Sequence, residues 1–102
     1  TYNTATEENL IARGLQPYGQ LNNPTPPTIA EMMEGALRSV RNAPNGFFIA
    51  SEEEGTDNFP NSNNAAATIE AALRADAAIG VAQNFVNTID PNTMVLTAAD
   101  SE

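Results

Sequence analysis

NGFFIASEEEGTD, residues 45–57, is the stretch that decides the predicted fold. An Asn-Gly turn signal opens it, and the apolar run of residues 47–50 follows. Because this run is apolar on both faces, it is typical of a buried strand in a parallel sheet. The acidic, amide-rich residues 51–64 contain Gly55 and Pro60, which predict an irregular loop at the carboxyl end of this strand.

Two helices and a second strand are predicted around this stretch. Upstream, Thr28 and Glu31 match a capping box, and apolar residues at helical spacing extend that helix to about Arg41. Downstream, the alanine-rich residues 65–89 predict a long helix, and residues 93–97 are a second β-prone run. The long helix carries one apolar stripe, which consists of Ala72, Ala75, Ile79, Ala82, Val86 and Ile89.

The order strand, helix, strand predicts a βαβ unit, whose strands are parallel. The predicted fold is therefore α/β, a partial three-layer sandwich built on the βαβ unit of a parallel sheet. Residues 1–27 are predicted as a loop-rich segment that can hold a short helix around residues 6–12, and residues 28–102 as the piece containing the βαβ unit. Two helices cannot cover both faces of a two-stranded parallel sheet. We therefore expect the remainder of a longer parent chain, or self-association, to complete the sheet.

The composition excludes several classes of function. The chain has 13 acidic residues against 4 basic ones, and its net charge of −9 argues against a nucleic-acid partner. It has no Cys and no His, so thiolate catalysis, zinc fingers and imidazole general bases are excluded within this chain. No apolar run approaches the roughly 18 residues that a membrane span requires, so no membrane association is expected.

Acidic loops follow both predicted strands. The first contains Glu52 and Asp57, and the second contains Asp100 and Ser101. Ligands of open α/β sheets bind beyond the carboxyl ends of the strands, and carboxylates brought close together favour a cation between them. Donor sets made only of oxygen suit Mg²⁺ or Ca²⁺ better than Zn²⁺. The alternative is an acidic surface loop that is simply solvated.

Four motifs in this order resemble the alkaline phosphatase family. GFFIASE, residues 46–52, resembles the family strand GFFL-x-VE, and Asp57 stands five residues after the Glu, where the family has a zinc-binding Asp. NTMVLTAADS, residues 92–101, is similar to the family stretch NTLVIVTADH. Two shorter segments, ADAAIG at 75–80 and PTIAEM at 27–32, resemble the D-x-AI/V and PSLAEM segments of the family.

The resemblance implies a metal site but assigns no catalytic residue to this chain. Asn61 and Ser101 stand where the family has His ligands, and two small residues of the family are replaced by glutamates at 53 and 54. The family's nucleophilic serine lies upstream of the matched region. The implied cofactor is a divalent metal, Mg and/or Zn by resemblance, with Mg or Ca favoured by the oxygen-only donors. The implied metal ligands are Glu52, Asp57, Asn61, Asp100 and Ser101.

The function implied by the resemblance is that of a segment of a metal-dependent phosphomonoester hydrolase, which supplies part of the metal site and is not active by itself. Two alternatives stay open. One is a related metallo-hydrolase of the phosphodiesterase or sulfatase type, and the other is a non-catalytic relative that binds Ca²⁺ or Mg²⁺. The implied substrate is a small-molecule phosphate ester, and the implied location is the bacterial periplasm or the exterior of the cell.

Overall fold

The computed structural model describes residues 27–99, and this part of the chain is helical. It forms α1 (Ile29–Val40), α2 (Gly55–Asn61) and α3 (Ala65–Thr88). Both shorter helices pack against α3, which is therefore the central element. No helix in the described range is both long and apolar enough to cross a membrane. The short helix predicted around residues 6–12 lies outside the described residues.

The prediction of an α/β fold is wrong for this part of the chain. Within residues 27–99 there is no strand, and hence no parallel sheet and no βαβ unit. A strand exists only where its backbone groups pair with a neighbouring strand, and the runs at 47–50 and 93–97 pair neither with each other nor with another described segment. Several of their apolar side chains lie in solvent, since Phe48 is 90% exposed and Leu96 79%.

The predicted capping box at the start of α1 is confirmed. The Thr28 hydroxyl accepts a hydrogen bond from the backbone N–H of Glu31 at 3.2 Å, and the Glu31 carboxylate accepts one from the backbone N–H of Thr28 at 2.7 Å. The hydrogen bond from the Thr28 backbone, followed by that from its side chain, lowers the pKa of Glu31. The helix ends at Val40, close to the predicted end, and buries Ile29 and Leu37.

Residues 55–61 form a helix where an irregular loop was predicted. Phe59 of α2 is fully buried and clusters with Ala67 and Ala71, two small residues of α3. Burying a phenyl ring stabilises by about 1.5–3 kcal/mol, and a proline in the middle of a helix costs about 3 kcal/mol or more. Pro60 lies at the C-terminal end of α2, which stops one residue later at Asn61, so the helix buries the ring of Phe59 without continuing past the proline.

A tight turn joins α2 to α3. Asn63 has a φ of 54°, in the left-handed region that Asn tolerates better than most residues. The backbone N–H of Asn64 donates to the Phe59 carbonyl at 2.9 Å. The side chain of Asn64 caps α3, because its oxygen accepts a hydrogen bond from the backbone N–H of Ala67 at 3.1 Å. The last turn of α2 is thus linked directly to a capped start of α3.

The buried face of α3 is not the predicted stripe. Ile79 and Ile89 of that stripe are exposed. Apolar residues at helical spacing identify the buried face of a helix only when the opposite face is polar. Helix α3 is rich in alanine around most of its circumference, so the spacing does not identify its buried face. The ring of Phe47 packs edge-to-face on Phe85, with ring centroids 5.9 Å apart, and so places the first predicted strand segment against the C-terminal half of α3. The buried side chains of α3 are Ala67, Ala71, Ala78 and Phe85.

Replacing Phe59 by alanine is expected to lower the free energy of unfolding by about 3–5 kcal/mol, because the cavity would lie between α2 and α3. The matched control is Phe48→Ala, which removes a ring that is 90% exposed. This control is expected to change stability by less than about 0.5 kcal/mol. Urea unfolding followed by circular dichroism measures both changes, and equal effects of the two substitutions would contradict the packing described here.

Candidate functional site

The structure describes three of the five predicted ligands. Glu52 lies in the segment before α2, Asp57 in the first turn of α2, and Asn61 at its last residue, and all three are exposed. Asp100 and Ser101 lie outside the described residues. No group of three or more His, Cys, Asp or Glu side chains in residues 27–99 is arranged to hold a metal ion. The complete five-residue site therefore stays a prediction.

Two of the predicted ligands are brought together by α2. The side-chain N–H of Asn61 donates to Oδ1 of Asp57 at 3.3 Å, across one helical turn. Phe59 is two positions from each, so the buried ring lies on the opposite side of the helix. The face of α2 that carries Asp57 and Asn61 is consequently turned toward solvent, where a ligand can reach it.

Glu53 is not part of this exposed face. Its Oε1 lies 3.3 Å from Nη2 of Arg74 in α3, and its Oε2 accepts a hydrogen bond from Nε of the same guanidinium at 3.4 Å. Oε1 also accepts a hydrogen bond from the backbone N–H of Gly55 at 3.1 Å. The Glu53 side chain is only 14% exposed and that of Arg74 11%, whereas Glu52 and Glu54 are exposed.

Glu70, four residues earlier in the same helix, also contacts Arg74, with Glu70 Oε1 and Arg74 Nη1 3.0 Å apart. The second carboxylate, that of Glu53, was missed by the sequence interpretation, which counted it among the acidic groups of the metal loop. The two partners are 21 positions apart, and no local pattern connects residues at such a distance. The one available signal was the position of Arg74 in an alanine-rich helix that has no other basic residue.

Gly55 allows α2 to approach α3 closely. A Cβ atom added there would lie 2.8 Å from Glu53 Oε1, 2.8 Å from the Phe59 ring and 2.9 Å from the Ala71 Cβ. These distances are shorter than van der Waals contact, so a side chain at this position must displace its neighbours. A glycine at residue 55 is thus required by packing rather than by backbone angle.

Gly55→Ala is expected to destabilise the chain by about 1–3 kcal/mol, because overpacking forces α2 away from α3. Gly80→Ala is the control, since Gly80 also lies in a helix but has no atom within 4 Å of an added Cβ. That substitution is expected to stabilise by about 0.5–1 kcal/mol through helix propensity. Chemical denaturation measures both, and a stabilising effect at residue 55 would be inconsistent with the close approach.

The donor types of the three described candidate ligands suit a hard cation. Glu52 and Asp57 have carboxylate oxygens, and Asn61 has an amide oxygen in addition to the N–H that donates to Asp57. Every donor is thus an oxygen, the ligand type of Mg²⁺ and Ca²⁺, and the imidazole and thiolate donors that Zn²⁺ prefers are absent from the sequence.

Comparison with known families agrees with the resemblance of the four sequence motifs. The family described as alkaline phosphatase matches residues 10–102. The chain belongs to the alkaline phosphatase family. Its members are phosphatases, and they generally use divalent metal ions. The resemblance predicted from the motifs is therefore confirmed.

Individual alkaline phosphatases are similar to most of this chain. It is 34% identical to an alkaline phosphatase of Gadus morhua over 74 residues, which cover 72% of this chain and 16% of that protein. It is 35% identical to the tissue-nonspecific isozyme of alkaline phosphatase from Rattus norvegicus over 74 residues, 72% of this chain and 14% of that protein. The chain thus aligns with less than one fifth of the length of these relatives. No solved structure matches it significantly.

Proposed function

We propose that this chain is the segment of a metal-dependent phosphomonoester hydrolase that supplies part of the metal site. The observation that carries the proposal is the family match over residues 10–102, within which Asp57 lies exposed on α2 beside Asn61. The proposed substrate is a small-molecule phosphate ester. The nucleophile is proposed to lie outside this segment, because the nucleophilic serine of the family lies upstream of the matched region.

The proposed ligands of the metal are Glu52, Asp57, Asn61, Asp100 and Ser101. When bound, such a cation polarises phosphoryl oxygen and favours ionisation of a nucleophile. The residues of this chain contribute negative charge and orientation: Asn61 holds the Asp57 carboxylate through the 3.3 Å hydrogen bond, and α2 holds both on its exposed face. Because all donors are oxygen, Mg²⁺ or Ca²⁺ is proposed rather than Zn²⁺.

The proposed partner is the remainder of a longer chain or a second copy of this one. Apolar side chains outside the helical core support this part of the proposal, since Phe48, Met94 and Leu96 are all more than three-quarters exposed. Met94 and Leu96 are two positions apart, and grouped exposed apolar side chains are typical of surfaces that another protein segment covers. An exported location, periplasmic or secreted, is proposed from family membership, with no nucleic-acid or membrane partner.

A non-catalytic relative that binds Ca²⁺ or Mg²⁺ is the second candidate. One specific observation favours it: the sequence has no His, and Asn61 and Ser101 occupy the places of two imidazole ligands. A Ca²⁺ site needs only hard oxygen donors, whereas the two-zinc chemistry of the family uses these imidazoles. Retention of carboxylates at 52, 57 and 100 is common to both candidates and does not separate them.

Asp57→Asn is expected to weaken Mg²⁺ binding to the full chain by at least about 10-fold, because it removes one charged ligand. The control is Asp76→Asn, which removes the same charge from the exposed surface of α3. Its effect on the dissociation constant is expected to stay within about 2-fold, as a surface charge acts only through screened long-range attraction. Isothermal titration calorimetry with Mg²⁺, Ca²⁺ and Zn²⁺ measures this, and equal effects of both variants would refute a site at Asp57.

Hydrolysis of a chromogenic phosphate ester by the longer protein that carries this segment is expected to stop when a chelator removes the metal. Adding Mg²⁺ back is expected to restore the rate. Metal binding without hydrolysis would decide for the non-catalytic candidate, and hydrolysis that a chelator leaves unchanged would refute both candidates.

A further inference from the structure

Three consecutive glutamates precede α2, and only the middle one faces the interior. Glu52 and Glu54 are exposed, whereas Glu53 contacts the Arg74 guanidinium through both carboxylate oxygens, at 3.3 and 3.4 Å. Such a two-point contact defines the orientation of both groups, unlike a single exposed ion pair. Since both side chains are more than four-fifths buried, the contact is poorly screened by solvent.

Arg74 is held in place from its own helix. Glu70, one turn earlier in α3, contacts Nη1 at 3.0 Å, so that the Nε and Nη2 edge of the guanidinium is left toward Glu53. The Glu70 carboxylate thus orients the Arg74 guanidinium, and this guanidinium then orients the Glu53 carboxylate. The contact spans 21 positions in sequence and joins the acidic segment before α2 to the middle of α3.

Glu53 also fixes the first turn of α2. Its Oε1 accepts the hydrogen bond of the Gly55 N–H, one of the amide groups that a helix start leaves without an intrahelical partner. Phe59 anchors the other end of α2 against α3. With both ends held, the exposed side that carries Asp57 has a defined direction relative to α3.

We propose that Glu53 is a positioning residue for the metal site: through Arg74 and the Gly55 amide it holds Glu52 and Asp57 in place and does not bind the metal itself. The inference rests on the proposed function, because it presumes that Glu52 and Asp57 are ligands. Residue 53 stands where the resembling family motif has a small residue, so this ion pair is a feature that the chain has in addition to the motif.

The test measures Mg²⁺ affinity of the full chain by calorimetry in the variants Glu53→Gln, Arg74→Gln and Arg74→Lys. Circular dichroism confirms that each variant is folded. The matched control is Glu54→Gln, which removes the same charge from the neighbouring exposed residue. Arg74→Gln leaves the buried Glu53 carboxylate without its positive partner and can unfold the chain for that reason. In that case the double variant Glu53→Gln/Arg74→Gln, which removes both charges, is measured in place of Arg74→Gln.

A positioning role predicts that Glu53→Gln and Arg74→Gln both weaken Mg²⁺ binding. The expected loss is on the order of 10-fold, which is typical when a group that orients a metal ligand is removed. The double variant is then expected to bind Mg²⁺ no more weakly than the weaker of the two single variants. Arg74→Lys, which lacks the planar guanidinium, is expected to have an intermediate Mg²⁺ affinity. A ligand role for Glu53 predicts the opposite sign at residue 74: loss of Arg74 frees the carboxylate, and Mg²⁺ binds more tightly. That result, or an equal loss in Glu54→Gln, overturns the proposal.

Hydrogen exchange separates failure of this inference from failure of the proposed function. If the unaltered chain binds no divalent metal, the proposed function fails. The Gly55 amide still reports on the contact, because its hydrogen bond to Glu53 needs no metal. Faster exchange at Gly55 in Arg74→Gln than in Glu54→Gln supports the positioning contact, and equal rates overturn it.

Discussion

Contact between the ring of Phe59 and the small side chains of Ala67 and Ala71 is the constraint on which the rest of this structure depends. Alanine at both positions lets the backbone of α2 come close to α3, and glycine at residue 55 lets it come closer still. The Glu53 carboxylate then lies against α3, within reach of Arg74. With Phe59 turned inward, helical geometry leaves Asp57 and Asn61 on the outer side, so the packing of one ring also decides which groups meet solvent.

The helices that were predicted correctly depend on signals close together in the chain. The capping box of α1 involves residues three apart, and the alanine content of α3 acts within the helix itself. The strands were predicted from residue type as well, but a strand needs a partner whose position no local pattern supplies. Among residues 27–99 neither apolar run finds one. Helix α2 was missed for the converse reason, because the contact of Phe59 with α3 that stabilises it cannot be seen in the local pattern around Pro60.

The candidate site was likewise predictable only in part from the sequence. Family motifs in the sequence were sufficient to propose Glu52 and Asp57 as ligands, since the motifs preserve spacing. The same reasoning could not distinguish Glu53 from its neighbours, because three adjacent carboxylates are equivalent until a cation from another element selects one. Arg74 makes that selection from 21 positions away. Candidate ligands could therefore be proposed from the family motifs, whereas the ion pair that separates Glu53 from its neighbours depended on the tertiary fold.

The left-handed backbone of Asn63 limits how this region can vary. A β-branched residue cannot adopt a φ of 54° without strain, whereas Gly, Asn and Asp can. The turn also carries the Asn64 cap of α3, so two successive positions tolerate few amino acids. Few substitutions are consequently tolerated between α2 and α3, and a valine at residue 63 would strain the turn that positions the acidic helix without altering a single acidic group.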